Sequence, residues 1–351
     1  MKNIKIGHHI IAQNSPVFII AELSANHNGS IKTAIETVRA AKRAGADCIK
    51  LQTFTADTIT LDSKKEDFKI SQGTLWDGQY LHDLYKTAHT PWEWHEELMS
   101  VAKEEGLICF SSPFDKTAVD FLENLSVPAY KIASFEITDI PLIEYVASKG
   151  KPIIISTGIA EIEDIELALD ACRRMGNNYI ALLKCTSSYP APIEEANMSM
   201  VKDLAERFNV VTGLSDHTIG STVPVVATCF GAKIIEKHFI LDHSVGGPDA
   251  SFSMDEKEFT EMVKAVREAE KAIGVLNYTL TDKQVKGRDF SRSLYVVKDI
   301  KAGEVITEKN VMSIRPGFGL HPKYFNDCIG KMAKKDIEKG TRFSFDLIEI
   351  N

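Results

Sequence analysis

Apolar and polar positions fall into two textures along this chain. From Val17 to about residue 240, eight short apolar runs alternate with longer stretches whose apolar residues recur three and four apart. The runs are Val17–Leu23, Asp47–Thr53, Leu107–Ser112, Ala129–Ser134, Pro152–Thr157, Ile180–Cys185, Val210–Ser215 and Ala232–His238. Nearly continuous apolar runs of this length read as strands covered on both faces, as in parallel sheets. The segments Ile31–Ala44, Trp92–Glu105, Glu161–Met175, Met198–Phe208 and Met254–Ile273 carry the period of amphipathic helices. Eight strand–helix units in succession predict an α/β fold, a closed (β/α)8 TIM barrel rather than an open doubly wound sheet. No Gly-x-Gly-x-x-Gly follows the first run, which weakens a dinucleotide-binding alternative.

Near residue 275 the pattern changes. Leu276–Asp289 is polar, and Ser291–Asn351 shows short strands and turn dipeptides. Asp299-Ile-Lys-Ala-Gly-Glu304 and Asp336-Ile-Glu-Lys-Gly-Thr341 look like one turn used twice. The expected organisation is a barrel domain over 1–275, a linker over 276–290 and a small domain of mostly β and irregular structure over 291–351. The insertion from Phe54 to Thr90, with Leu75-Trp76-Asp77, is long enough to shape a substrate pocket.

Composition narrows the functional classes. In 351 residues, 44% are hydrophobic, ample for a large core, and the formal net charge of -8 argues against a nucleic-acid surface. The start, Met1-Lys-Asn-Ile-Lys-Ile-Gly-His-His9, lacks the apolar core of a signal peptide, and no apolar stretch is long enough to span a bilayer. Six scattered cysteines without a Cys-x-x-Cys pair suit reduced thiols. The expectation is a cytoplasmic protein with neither a nucleic-acid nor a membrane partner. Cys185, near a strand end, invites a reactive-thiol reading, but a buried thiol behaves as a small hydrophobe in most settings.

The candidate chemistry sits where the predicted strands end, the face at which parallel barrels collect their ligands. His217 and His238 close the last two runs and would share a divalent metal with open positions, or would simply finish their strands as hydrogen-bonded histidines. Lys50 and Lys131, if directed inward, need an anion to meet them, because an unmatched buried ammonium costs several kcal/mol. With the serines around them they would form a pocket for phosphate and carboxylate; the alternative pairs either lysine with a core carboxylate such as Glu22 or Glu136. Glu22 and Glu136 also suit acid and base roles. Together these groups fit the joining of a phosphorylated nucleophile to an aldehyde.

At this point the motifs Ala21-Glu-Leu-Ser-Ala-Asn-His-Asn-Gly29, Lys50-Leu-Gln-Thr53, Phe110-Ser-Ser-Pro-Phe114, Tyr130-Lys-Ile-Ala-Ser-Phe-Glu136, Lys184-Cys-Thr-Ser-Ser-Tyr-Pro190, Gly213-Leu-Ser-Asp-His-Thr218 and Glu236-Lys-His-Phe239 resemble the sialic acid synthases. The resemblance covers essentially the whole chain, and its C-terminal part is similar to their antifreeze-like (SAF) domain. It implies condensation of phosphoenolpyruvate with an N-acetylated amino-hexose and water, giving a 2-keto acid and phosphate with cleavage of the C–O bond. It implies a divalent cofactor at His217 and His238 that activates the aldehyde, Mn2+ in most members, with Mg2+ or Co2+ as alternatives. Lys50, Ser112, Lys131, Ser134, Ser156, Ser187 and Ser215 would hold phosphoenolpyruvate. Ser187 stands where neuraminate-forming members usually have asparagine. Glu22, Gln52, Glu136, Tyr189 and Asp249 would face the sugar or the reacting centre. Arg315 would reach the acetamido group from the partner protomer of a domain-swapped homodimer.

Within the family, the motifs Ala21–His27, Gly73–Asp77, Ala133–Glu136 and Lys184–Tyr189 most resemble the pseudaminic acid branch. Its acceptor is 2,4-diacetamido-2,4,6-trideoxy-L-altropyranose, a 6-deoxy sugar for which Trp76 or Phe135 would supply an apolar surface. The resemblance also implies a place in bacterial surface or flagellar glycosylation. The same chemistry on N-acetylmannosamine or the legionaminic precursor is the nearest alternative. More distant ones are a Schiff-base aldolase using Lys50 or Lys131, and a non-catalytic sugar- or ice-binding protein.

Overall fold

A computed structural model describes residues 3–349 of the chain. Positions 350 and 351 of the expected C-terminal domain, and 1 and 2 of the barrel domain, lie outside the described residues. The chain divides into two compact units, Met1–Gly274 and Val275–Asn351.

The first unit opens with a hairpin that the hydrophobic pattern does not announce, β1 (Ile4–Ile6) against β2 (His9–Ile11). Ile4, Ile6 and Ile11 are buried in one cluster with Phe18, Ile108, Ile153, Ile180 and Ile234, near the starts of barrel strands. The hairpin therefore packs at the N-terminal end of the barrel. Eight parallel strands follow: β3 (Phe18–Glu22), β4 (Cys48–Thr53), β5 (Ile108–Pro113), β6 (Tyr130–Ile132), β7 (Ile153–Ser156), β8 (Ile180–Cys185), β9 (Val211–Asp216) and β10 (Ile234–His238). They close into a barrel in sequence order, β10 pairing with β3.

The strands lie where the apolar runs place them, with ends shifted by a residue or two. β6 is shortest; Ser134–Glu136 leaves the sheet as a 3-10 turn. Helices form at the expected amphipathic segments, for example Ile31–Arg43 and Glu256–Ile273, each begun by a side-chain cap from Ser30 or Asp255. The insertion is not a plain loop. It contains helices Ala56–Ile59 and Leu81–Ala88, and a tight turn in which the Asp77 carboxylate accepts from the backbone N–H groups of Gly73 and Thr74 at 2.8 Å each.

In the second unit, β11 (Ser293–Val296) and β12 (Val311–Ile314) form an antiparallel ladder over a small core that includes Leu294, Ile306, Phe343 and Ile348. The two copies of the repeated turn face one another. Ile300 and Ile337 bridge antiparallel, Asp336 accepts from the Ala302 N–H at 2.9 Å, and Asp299 accepts from the Lys339 N–H at 2.7 Å. Each aspartate thus satisfies the other copy's backbone, and Gly303 and Gly340 supply the positive φ that each turn needs. The expected linker contains a short helix, Asp282–Gly287. Among the described residues, no helix is long and apolar enough to cross a membrane.

Candidate active site

Parallel register assembles the site. His238 stands beside Glu22, Glu22 beside Lys50, Gln52 beside Ser112, and Ser215 beside Glu236 on neighbouring strands. All lie at the C-terminal ends of the strands, where the last turn of sheet gives way to loops.

Charge is matched inside the barrel. Lys50 forms an ion pair with Glu22, donates to Ser112 Oγ at 3.3 Å and has Glu236 Oε1 at 3.8 Å. Lys131 pairs with Glu236 at 3.0 Å, and Ser215 Oγ donates to the same oxygen at 3.2 Å. All four ionisable groups are buried. Each lysine therefore has a core carboxylate, as the alternative reading expects, though the partner of Lys131 is Glu236 and not Glu136. Burial alone would lower the pKa of Lys50; the Glu22 and Glu236 carboxylates outweigh it and hold the value above the usual range. Burial raises Glu22, against the opposing pull of Lys50. Glu22 Oε1 also accepts from the Ser24 N–H at 2.9 Å, and Gln52 donates to Ser24 Oγ at 3.1 Å.

Beside the lysines lies a cradle of small groups. Ser134 Oγ accepts from the Gly158 N–H at 3.1 Å. A Cβ added at Gly158 would overlap Ser187 Oγ and stand 2.7 Å from Ser134 Oγ and 3.0 Å from Cys185 Sγ. Ser156 Oγ is buried without a hydrogen-bond partner among the described residues. Hydroxyls gathered this tightly beside two lysines would suit an anion by donor chemistry.

The two histidines meet. Their ring centroids are 5.4 Å apart, edge to face. His217 Nδ1 bonds the Thr186 carbonyl at 2.9 Å, which leaves Nε2 for another partner. His238 Nδ1 is buried without a hydrogen-bond partner among the described residues, 3.7 Å from Asp249 Oδ2. Burial keeps His238 far below its ordinary pKa, whereas the Cys185 thiol and the Thr186 carbonyl outweigh burial at His217 and raise it. Burial pushes the Cys185 thiol up, but His217 brings it down to about 7. Burial raises Asp249, whose carboxylate accepts from the Ala25 N–H at 3.4 Å. An orphaned imidazole nitrogen, a second free ring nitrogen and a nearby carboxylate fit a divalent ion by donor chemistry. A second His–carboxylate group, His243 with Asp255 and Glu258, is committed elsewhere: Asp255 and Glu258 cap a helix, and His243 bonds Ala250 O and Glu258.

Aromatic rings wall this side. Tyr189 packs 4.3 Å from His217, 5.2 Å from Phe252 and 5.6 Å from Trp76. Trp76 Nε1 donates to Pro248 O at 3.3 Å, tying the insertion to the loop after β10. Phe135 is exposed on the adjoining turn. Glu136 Oε2 is buried without a hydrogen-bond partner among the described residues, and burial raises the carboxyl to about 7.

Every site residue expected in the barrel lies at this mouth. Arg315 belongs to the second unit, exposed just beyond β12. Sequence reasoning passed over Glu236 and Gly158. Period-two alternation along β10 would have found the first, since Glu236 shares a face with His238 while Lys237 turns outward to Asp216 at 2.5 Å. Gly158 gave no comparable signal, because its value is the space it leaves.

Comparison with known proteins shows the family of the chain. Residues 37–278 match the NeuB family and residues 291–349 match the SAF domain. The chain is 51% identical over 324 residues to a pseudaminic acid synthase of Campylobacter jejuni, covering 92% of this chain and 94% of that one. It is 49% identical to a pseudaminic acid synthase of Helicobacter pylori, covering 95% and 98%. Among solved structures, the spore coat polysaccharide biosynthesis protein SpsE of Bacillus subtilis superposes with a TM-score of 0.67 at 35% identity, both chains covered in full.

Proposed function

The chain belongs to the NeuB family, and from that premise we propose that it is a pseudaminic acid synthase, condensing phosphoenolpyruvate with 2,4-diacetamido-2,4,6-trideoxy-L-altropyranose and water to give pseudaminic acid and phosphate. The observation that carries the chemistry is the meeting, at one barrel mouth, of a two-lysine anion pocket and a pair of histidines suited to a metal. The acceptor rests on the likeness to the pseudaminic acid synthases.

Phosphoenolpyruvate fills the pocket of Lys50, Lys131, Ser112, Ser134, Ser156, Ser187 and Ser215, with the Gly158 N–H holding Ser134 Oγ in place. These groups fix the enol so that C3 faces the sugar aldehyde, a gain of orientation that unimolecular geometry makes large. A divalent ion at His217 and His238, when bound, would polarise that aldehyde. Its identity is expected to be Mn2+, with Mg2+ or Co2+ as substitutes. C3 attacks the aldehyde carbon, water adds at C2, and phosphate leaves with the bridging oxygen. Glu136, poised near neutrality, can exchange the proton at the developing alkoxide or at the water. Glu22 is pinned by Lys50 and orients, with Gln52, the centre between pocket and sugar. Tyr189 and Asp249 line the acceptor side, and Trp76 offers the apolar face that a 6-deoxy carbon needs.

The protein acts in the cytoplasm as a homodimer in which Arg315 of one protomer reaches the acetamido group held by its partner. Val275, Leu276, Tyr278 and Phe290, largely exposed in the second unit, supply apolar surface for such pairing.

Phosphoenolpyruvate labelled with 18O at the bridging oxygen tests the reaction type. Label appearing in phosphate supports C–O cleavage. Label retained in the sugar acid contradicts it. A Schiff-base aldolase would instead be trapped by borohydride and ignore EDTA.

A further inference from the structure

Glu236 takes no part in the chemistry above, yet it lies at the centre of the pocket. It is buried on β10 two residues before His238, on the same face of the strand. Its Oε1 accepts from Lys131 at 3.0 Å and from Ser215 at 3.2 Å, and stands 3.8 Å from the Lys50 ammonium. Lys50 has a second acid partner in Glu22; among the described residues Glu236 is the acid partner of Lys131.

A lysine is a point charge on a flexible four-carbon stem, so charge alone does not fix where its ammonium stands. Two buried ammoniums also repel, and without an acceptor between them they would splay. One oxygen that contacts Lys131 and Ser215 and faces Lys50 removes that freedom. The second oxygen, Oε2, is buried with no hydrogen-bond partner among the described residues, so the carboxylate is held through Oε1 alone.

We propose that Glu236 is a positioning residue for phosphoenolpyruvate: it holds the Lys131 ammonium against Ser215 and within reach of Lys50, so that both cations converge on one anion. The inference rests on the reading of this pocket as the phosphoenolpyruvate site. A carboxylate serving only to balance buried charge would need the same sign but no fixed place.

Two variants separate these roles. Glu236→Gln keeps the shape and loses the charge; Glu236→Asp keeps the charge and withdraws the acceptor by one methylene. Both are expected to raise KM for phosphoenolpyruvate about tenfold or more, with KM for the sugar within about twofold of wild type and kcat reduced less than about fivefold. Full recovery of KM in Glu236→Asp would overturn positioning in favour of charge balance. An unchanged KM for phosphoenolpyruvate in folded Glu236→Gln, or a fall in kcat alone, would remove the Glu236 carboxylate from phosphoenolpyruvate binding altogether and overturn the proposal. Should the single variants fold poorly, Lys131→Met/Glu236→Gln removes the pair together. Its KM should match that of Lys131→Met within about twofold, because no Lys131 ammonium then remains to be placed. A further large rise would contradict the proposal. Wild-type enzyme assayed alongside keeps the two readings apart: its failure to release phosphate from phosphoenolpyruvate would sink the function, not the role of Glu236.

Discussion

The rings of His217 and His238 stand edge to face, their centroids 5.4 Å apart, at the C-terminal ends of adjacent strands, and each has a ring nitrogen without a hydrogen bond among the described residues. A pair so placed is expected to bind one divalent ion together. His217→Ala and His238→Ala should each lower Mn2+ affinity by about a hundredfold or more while circular dichroism and the unfolding temperature stay close to wild type. Calorimetric titration of Mn2+ into metal-stripped protein measures this directly. Stoichiometric Mn2+ retained by either variant would remove that histidine from the site.

Gly158 is glycine because Ser134, Ser187 and Cys185 occupy the space of a side chain. Gly158→Ala should push those groups apart, weakening phosphoenolpyruvate about tenfold or more with little effect on sugar binding. A tight fit of this kind also costs stability, so a drop of a few degrees in Tm is expected. Unchanged affinity for phosphoenolpyruvate would show that the cradle does not hold it.

Glu136 gives a pH signature. Its folded carboxyl titrates at about 7 against 4.5 for the free group, so the folded state holds the proton more tightly. The resulting penalty is absent below the free value, where both states are protonated, and grows as pH rises to about 7. Above that it is fully present, on the order of 3 kcal/mol. Glu136→Gln, which cannot ionise, should therefore be more stable than wild type at pH 8 and no more stable at pH 4. Chemical denaturation at the two pH values reads the difference. Equal stabilisation at both would mean that ionisation of Glu136 is not its source. The variant should also lose most of its turnover.

The second unit is expected to complete the site. Truncation after about residue 285 should abolish activity and dimerisation together, and Arg315→Ala in the full chain should raise KM for the sugar without changing oligomeric state. Light scattering and steady-state rates on both proteins decide this. A fully active truncated monomer would exclude Arg315 from the reaction.

Much of this was legible before any coordinate. Eight Val- and Ile-rich runs with helices between them are enough for the barrel, because strands buried on both faces leave no polar alternation to confuse the reading. Strand-end position then places His217, His238, Lys50 and Lys131 at one mouth. The N-terminal hairpin was missed because two three-residue strands are too short to show a period. The partner of Lys131 was also missed: Glu22 and Glu136 were the core carboxylates expected to meet either lysine, whereas closure of the barrel brings Glu236 across from β10. Contacts made by closure have no local trace. Nor does the packing of Trp76 on Tyr189, which depends on how the insertion folds back over the mouth.

The central claim concerns what the two pockets join. Phosphate release should be measured with phosphoenolpyruvate and Mn2+ across three acceptors: the diacetamido altrose, the legionaminic precursor and N-acetylmannosamine. The account predicts turnover with the altrose derivative, abolished by EDTA, and little or none with the other two. Preference for either of the others would overturn the acceptor while leaving the mechanism. Folded, metal-loaded protein silent with all three would contradict the function itself.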